Sequence, residues 1–252
     1  MPIAYKYCGP TGIAILQHLE LKVTPPDEFN DLFEFLPSFI CSNEQAYYAL
    51  CRKRNPELRN NWIDFYRTIA DIPEILRRLE NNHLRTISKT LGVLCMSKRA
   101  DSLQMWGHYA KSHKGFVIGF DTSADIFQGL RDVRYFENRP VFDISRAEEW
   151  THITEVRPDL CFAKSAKWRY EEEQRAIFHL AQLKTRRKGL WGPKSYYLPF
   201  PPDAVHSVIL GAKCTVRLAT GITAIVAAKM PRAVVSRASR DNNEYAVTWR
   251  SV

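Results

Sequence analysis

Residues Leu103 to Phe120 read LQMWGHYAKSHKGFVIGF, and they join a short amphipathic run to a Gly115 break and then to an apolar strand. Asp101 or Ser102 is placed to cap a helix from Leu103, because a short oxygen-bearing side chain satisfies the first free amides. On that helix residues 103, 106 and 110 share a face, so Trp106 is read as the anchor on the core, with Tyr109 beside it and His108 well round from it. FVIGFD, residues 116–121, reads as a strand with one face in the core.

Working outward, IAYKYC (3–8) is a first strand, and Ile13–Leu21 has helical apolar spacing. Asp27–Phe35 is a loop or short turn pinned by its aromatics. Residues of about 45–91 form an intervening helical section, with Pro56 and Pro73 at helix starts and runs over Leu58–Ile69 and Pro73–Leu79. Its arginines, among them Arg59, Arg67, Arg77 and Arg78, suit a solvated face. Further strands are expected at Leu91–Ser97, Val133–Tyr135, Arg139–Phe142, Gln174–Leu180 and Val205–Leu210, with helices within Ile144–Leu160 and over Val216–Lys229. A hairpin closes the chain around Arg240–Asn243. The expected architecture is one α+β domain over 1–252, with a mostly antiparallel sheet.

The 252 residues include no apolar run near the roughly 20 needed to span a bilayer, and the first ten lack a basic-then-apolar leader. The six cysteines are scattered without C-x-x-C spacing, which excludes a thiolate zinc site and fits a reducing, cytoplasmic setting. Residues 1–125 hold 15 Lys and Arg against 14 Asp and Glu, and residues 126–252 hold 21 against 13, so +8 of the net +9 lies in the second half. A basic half attracts phosphate-bearing partners, and Arg186, Arg187 and Lys188 are its candidate contacts for nucleic acid or another acceptor. No nucleophile elbow, phosphate-binding glycine loop or dinucleotide fingerprint occurs, which removes the hydrolase, kinase and Rossmann readings.

His108 and His113 stand five apart across a helix end. That is not the i, i+4 arrangement of a helical metal pair, so no metal is expected. Glu171-Glu172-Glu173 precedes a strand, where Glu171 and Glu173 project to one side. They are either a pair that divides catalytic labour or an acidic turn paired with Arg175 and Lys167.

These segments resemble a bacterial and phage family known as domain of unknown function 2971. The resemblance rests on Tyr5-Lys6-Tyr7, Phe29-Asn30-Asp31, Cys95-Met96-Ser97, the centre Trp106, His108, Tyr109, Ala110, His113, Gly115 and Phe116, and later Lys164, Trp168, Glu171, Glu173 and Arg175. The family in turn looks like a diverged ADP-ribosyltransferase fold, a split sheet that cradles NAD between two small sheets. The resemblance implies NAD as substrate, with Tyr5, Lys6 or Tyr7 on the adenosine side and Trp106, His108, Tyr109 and His113 around the ligand. Glu173 would bind the nicotinamide ribose and Glu171 would activate a nucleic-acid or protein acceptor, in toxin or phage-defence biology. The alternative is a noncatalytic nucleic-acid-binding module built on the basic second half.

Overall fold

The computed structural model describes residues 2–54, 71–146, 158–187 and 194–251. The expected features at Pro56, Leu58–Ile69, Arg59, Arg67 and Lys188, and most of Ile144–Leu160, lie outside them. Two compact units are formed: Met1–Thr24 with Gly92–Val133 and Lys167–Val252, and Pro25–Leu91 with Arg134–Ala166. Along the chain the described elements are β1 Ile3–Cys8, α1 Ile13–His18, β2 Glu20–Val23, β3 Ser38–Ile40, α2 Glu44–Arg54, α3 Ile72–Thr90, β4 Leu91–Ser97 and α4 Leu103–His108. They continue with β5 Phe116–Asp121, β6 Arg131–Asp132, β7 Arg134–Phe136, β8 Val141–Asp143, α5 Pro158–Cys161, β9 Ala163–Ser165 and β10 Glu173–His179. The last are β11 Lys184–Arg187, β12 Lys194–Pro199, β13 Val205–Leu210, α6 Val216–Lys229, β14 Val234–Arg240 and β15 Val247–Ser251.

The first unit is built on an eight-stranded sheet in the order β15-β14-β13-β5-β1-β4-β10-β6. Strand β1 pairs antiparallel with β4 and β5, as do β5 with β13, β10 with β6 and β14 with β15, whereas β13 and β14, which α6 connects, run parallel. Strand β5 does not bury only one face as its sequence suggests. Phe116, Val117, Ile118 and Phe120 are all fully buried. Phe116, Ile118 and Phe120 pack with Leu16, Leu94, Ile222 and Val226, whereas Val117 packs on the other side with Tyr7, Trp106, Ile209 and Ala238. A strand covered on both sides gains about 2 kcal/mol from each large apolar side chain buried, whichever way it points.

Helix α1 also ends earlier than its apolar spacing implies. Leu19 turns left-handed at φ 54°, and Glu20–Val23 leaves as a strand, with Leu21 and Val23 buried. That strand is one edge of a three-stranded antiparallel sheet, β11-β12-β2. Helix α6 has the expected bounds because Thr215 Oγ1 accepts from Leu218 N at 3.3 Å and Ile222 and Val226 bury one side. The closing hairpin pairs β14 with β15, and Asp241 N donates to Ala246 O across its turn.

In the second unit, α3 starts where the Asp71 carboxylate accepts from Glu74 N at 3.1 Å. Arg77 and Arg78 both pair with Glu74 at 2.7 Å on the solvated side, as the sequence suggests. Two short parallel ladders, β3 with β8 and β7 with β9, accompany a core of Phe39, Tyr47, Cys51, Ile72, Phe142 and Ile144. Lys164 and Glu34 form a buried ion pair at 3.2 Å. No helix among the described residues is long and apolar enough to cross a membrane.

Candidate functional site

The amphipathic run of the sequence folds as α4, capped by Ser102, whose Oγ accepts from Met105 N at 3.4 Å. Trp106 is fully buried and donates from its indole nitrogen to Ala100 O at 2.8 Å. Tyr7 of β1 meets its ring edge-on at 5.6 Å and donates its own hydroxyl to Arg99 O at 3.0 Å. Burial pushes the Tyr7 phenol above its ordinary pKa.

Past α4 the chain makes a turn that no glycine announces. Lys111, Ser112 and His113 lie consecutively in the left-handed region at φ 51°, 55° and 64°. Such a run persists only where its surroundings over-determine it. Here the His113 ring returns to stack on Trp106 at 5.6 Å and an interplanar angle of 4°. His113 O accepts from Lys213 N at 3.0 Å. Partial burial, and then the nearby Lys213 charge, lower the His113 pKa. A glycine is required next, since a Cβ on Gly115 would come within 1.9 Å of Cys8 O.

The second motif arrives at the same place. The Tyr109 hydroxyl donates to Glu171 Oε1 at 2.7 Å, and Ser97 Oγ donates to Glu171 O at 2.7 Å. Glu171 is buried at 3% exposure. Beside it run His108, Tyr109, Tyr170 and Trp168. His108 lies 6.4 Å from Tyr109 and 6.2 Å from Tyr170, and Tyr170 lies 5.9 Å from Trp168. Tyr109, Tyr170 and Trp168 are half-buried and His108 is exposed. A strip of rings thus borders a carboxylate.

The three glutamates take three different environments. Glu172 has φ 41° and turns outward to Arg99, 3.3 Å away, which also pairs with Asp101. Glu173, at the start of β10, is buried and gripped by Arg175, with Nε at 2.7 Å from Oε1 and Nη2 at 2.9 Å from Oε2. The Arg175 side chain is fully buried. The acidic turn weighed from the sequence is therefore solvated only at its middle residue, and Arg175 is a partner of Glu173.

On β1 the side chains alternate. Tyr5 and Tyr7 pack toward Trp106, while Lys6 projects to the opposite side with Ala4 and Cys8. Lys6 Nζ donates to Cys95 O at 2.9 Å. Burial and then the Glu173 charge push the Cys95 thiol well up, so it is no ready nucleophile.

In the basic second half, Arg186 pairs with Glu20 and stands 4.7 Å over the Tyr197 ring, and Lys184 holds the other Glu20 oxygen at 2.8 Å. Burial alone would raise the Glu20 pKa, but these two cations more than offset it and the carboxyl is lowered. The Lys188 of the expected basic trio is outside the described residues. Among the described residues no three His, Cys, Asp or Glu side chains gather where they could share a metal ion.

Residues 105–176 match the family described as Protein of unknown function (DUF2971). The DUF2971 match opens inside α4 and closes within β10, so it holds both halves of the Tyr109–Glu171 contact. No curated protein and no solved structure matches the chain. Ser97, Tyr170 and Glu20 were not singled out by sequence reasoning. Ser97 sits in the Cys95-Met96-Ser97 motif, which was the only signal available for it.

Proposed function

We propose that the first unit is an NAD-consuming enzyme of the ADP-ribosyltransferase type, acting on a macromolecular acceptor, and that Glu171 is its catalytic carboxylate. The observation that carries this is the 2.7 Å contact between Tyr109 and Glu171, which joins the two chemistry-bearing motifs across 62 positions of chain. The ring strip offers flat surfaces on which a planar base stacks, and the phenol orients the carboxylate at its edge.

In the step, the bond between the ribose anomeric carbon and the nicotinamide nitrogen breaks, and its electron pair leaves with nicotinamide. Positive charge grows on the sugar, and the Glu171 carboxylate stabilises it. The acceptor's oxygen or nitrogen then bonds to the anomeric carbon, and its proton passes to that carboxylate. Glu173 serves as a positioning residue, because Arg175 already occupies both its oxygens. This departs from the assignment of ribose binding to Glu173 that the resemblance implies.

The test is nicotinamide release from NAD, followed chromatographically with protein and nucleic-acid acceptors present. Glu171→Gln is expected to abolish release. Tyr109→Phe, which removes one hydrogen bond to a charged group, is expected to cost roughly 10- to 100-fold. Failure of the wild-type chain both to bind NAD in calorimetry and to release nicotinamide would end this reading.

A further inference from the structure

The three-stranded sheet has one face packed on Leu180 and Leu183 and another turned outward. Val23, Tyr196 and Leu198 occupy the packed side. By strand alternation, Glu20, Lys22, Lys184, Arg186, Ser195 and Tyr197 share the other. The register places Tyr197 directly between Lys184 on β11 and Lys22 on β2. Neighbouring strands lie about 5 Å apart, so a lysine flanks the ring on each side. The Arg186 guanidinium lies over the ring and widens the flat surface. Lys184 exposes 61% of its side chain and Arg186 45%, so both charges face water while Glu20 lies beneath them.

We propose that this outer sheet face binds single-stranded nucleic acid, with the Tyr197 ring and the Arg186 guanidinium stacking bases while Lys22 and Lys184 meet the phosphates. Among the described residues of this face Lys22, Lys184 and Arg186 stand with one carboxylate, Glu20, a formal excess of positive charge. A flat ring flanked by cations is the arrangement with which sheet platforms hold unpaired bases irrespective of sequence. No Leu, Ile, Val or Phe side chain lies among the described residues of this face to enter a bilayer, which favours nucleic acid over an anionic membrane.

The experiment is fluorescence anisotropy of a labelled single-stranded oligothymidine with the whole chain, without NAD, over a series of salt concentrations. It therefore reads the platform whether or not Tyr109 and Glu171 cleave NAD. Tyr197→Leu is expected to weaken binding about tenfold. Lys22→Gln is expected to flatten the dependence of log affinity on log salt by about 0.7. Both variants leave Lys184, Arg186 and Glu20 in place, and unchanged melting curves establish that they fold. Absence of binding by the wild-type chain, or binding that neither variant alters, overturns the proposal. So does binding to phosphatidylserine vesicles that the oligonucleotide fails to displace.

Discussion

Replacing Glu173 by Gln removes half of a charge pair in which the Arg175 side chain is fully buried and that of Glu173 exposes 5%. The pair uses two hydrogen bonds, and the amide of Gln can accept only through its single oxygen, so one of them and the carboxylate charge facing the buried guanidinium are lost. Breaking such a pair costs about 3–5 kcal/mol. The retained hydrogen bond favours the lower figure, which is a large part of a total stability of roughly 5–15 kcal/mol. At about 2–4 °C per kcal/mol, the melting midpoint falls by roughly 6–12 °C. Thermal denaturation followed by circular dichroism measures this directly. Adding Arg175→Met to Glu173→Gln removes the guanidinium that lost this carboxylate and is expected to restore most of the loss. A midpoint shift below about 2 °C for Glu173→Gln, or a double variant less stable than the single one, would refute the buried-pair reasoning. Lost NAD cleavage in Glu173→Gln would therefore reflect the fold first, and the chemical test belongs to Glu171.

Gly115→Ala is expected to push β1 away from β5 at Cys8 and to cost about 1–3 kcal/mol, read as a lowered urea midpoint. The lowered folded-state pKa of His113 means that the unfolded chain takes up a proton first as pH falls below the ordinary imidazole value of 6.5. Stability is then lost on acidification, and His113→Gln should flatten the part of that loss that sets in below pH 6.5. Asp143 acts in the same sense at lower pH. Burial alone would raise its carboxyl, but hydrogen bonds from Ser42 and Ser145 outweigh burial and hold it at about 2. Its contribution is full above the ordinary carboxyl value of 3.8 and vanishes as pH falls toward about 2, so Asp143→Asn should remove that part of the acid transition.

Local signals carried much of the fold. The bounds of β13 and α6 were readable because each is an unbroken local run, the first ending at Gly211, and the structure adds the Thr215 cap that fixes the start of α6. The two-sided burial of β5 was not, since a strand of Phe, Val and Ile shows no period when both of its sides are apolar. The left-handed run Lys111-Ser112-His113 carries no glycine to mark it, and only the Trp106 ring and the contacts of His113 impose it. For the candidate site, the spacing of Glu171 and Glu173 was legible, but their separate partners were not. Tyr109 lies 62 positions from Glu171, and Arg186 lies 166 positions from Glu20. Basic residues at 184–187 announce charge, yet only the register shows which of them share a face with Tyr197.

The pairing of β1 with β4 and β5 also governs how the chain must be made. Tyr5 faces Ser97, and Ile3 faces Asp121, so during synthesis β1 waits for partners encoded about a hundred residues later. At 5–20 residues per second that delay lasts roughly 5–20 s. During it, IAYKYC is an unpaired strand with both edges open, a template for a neighbouring chain's strand. The closure of so long a loop adds to the barrier, which makes this a slow folder with a vulnerable first strand. Synthesis rate and chaperone supply should therefore decide its soluble yield more strongly than the equilibrium stability of the finished sheet.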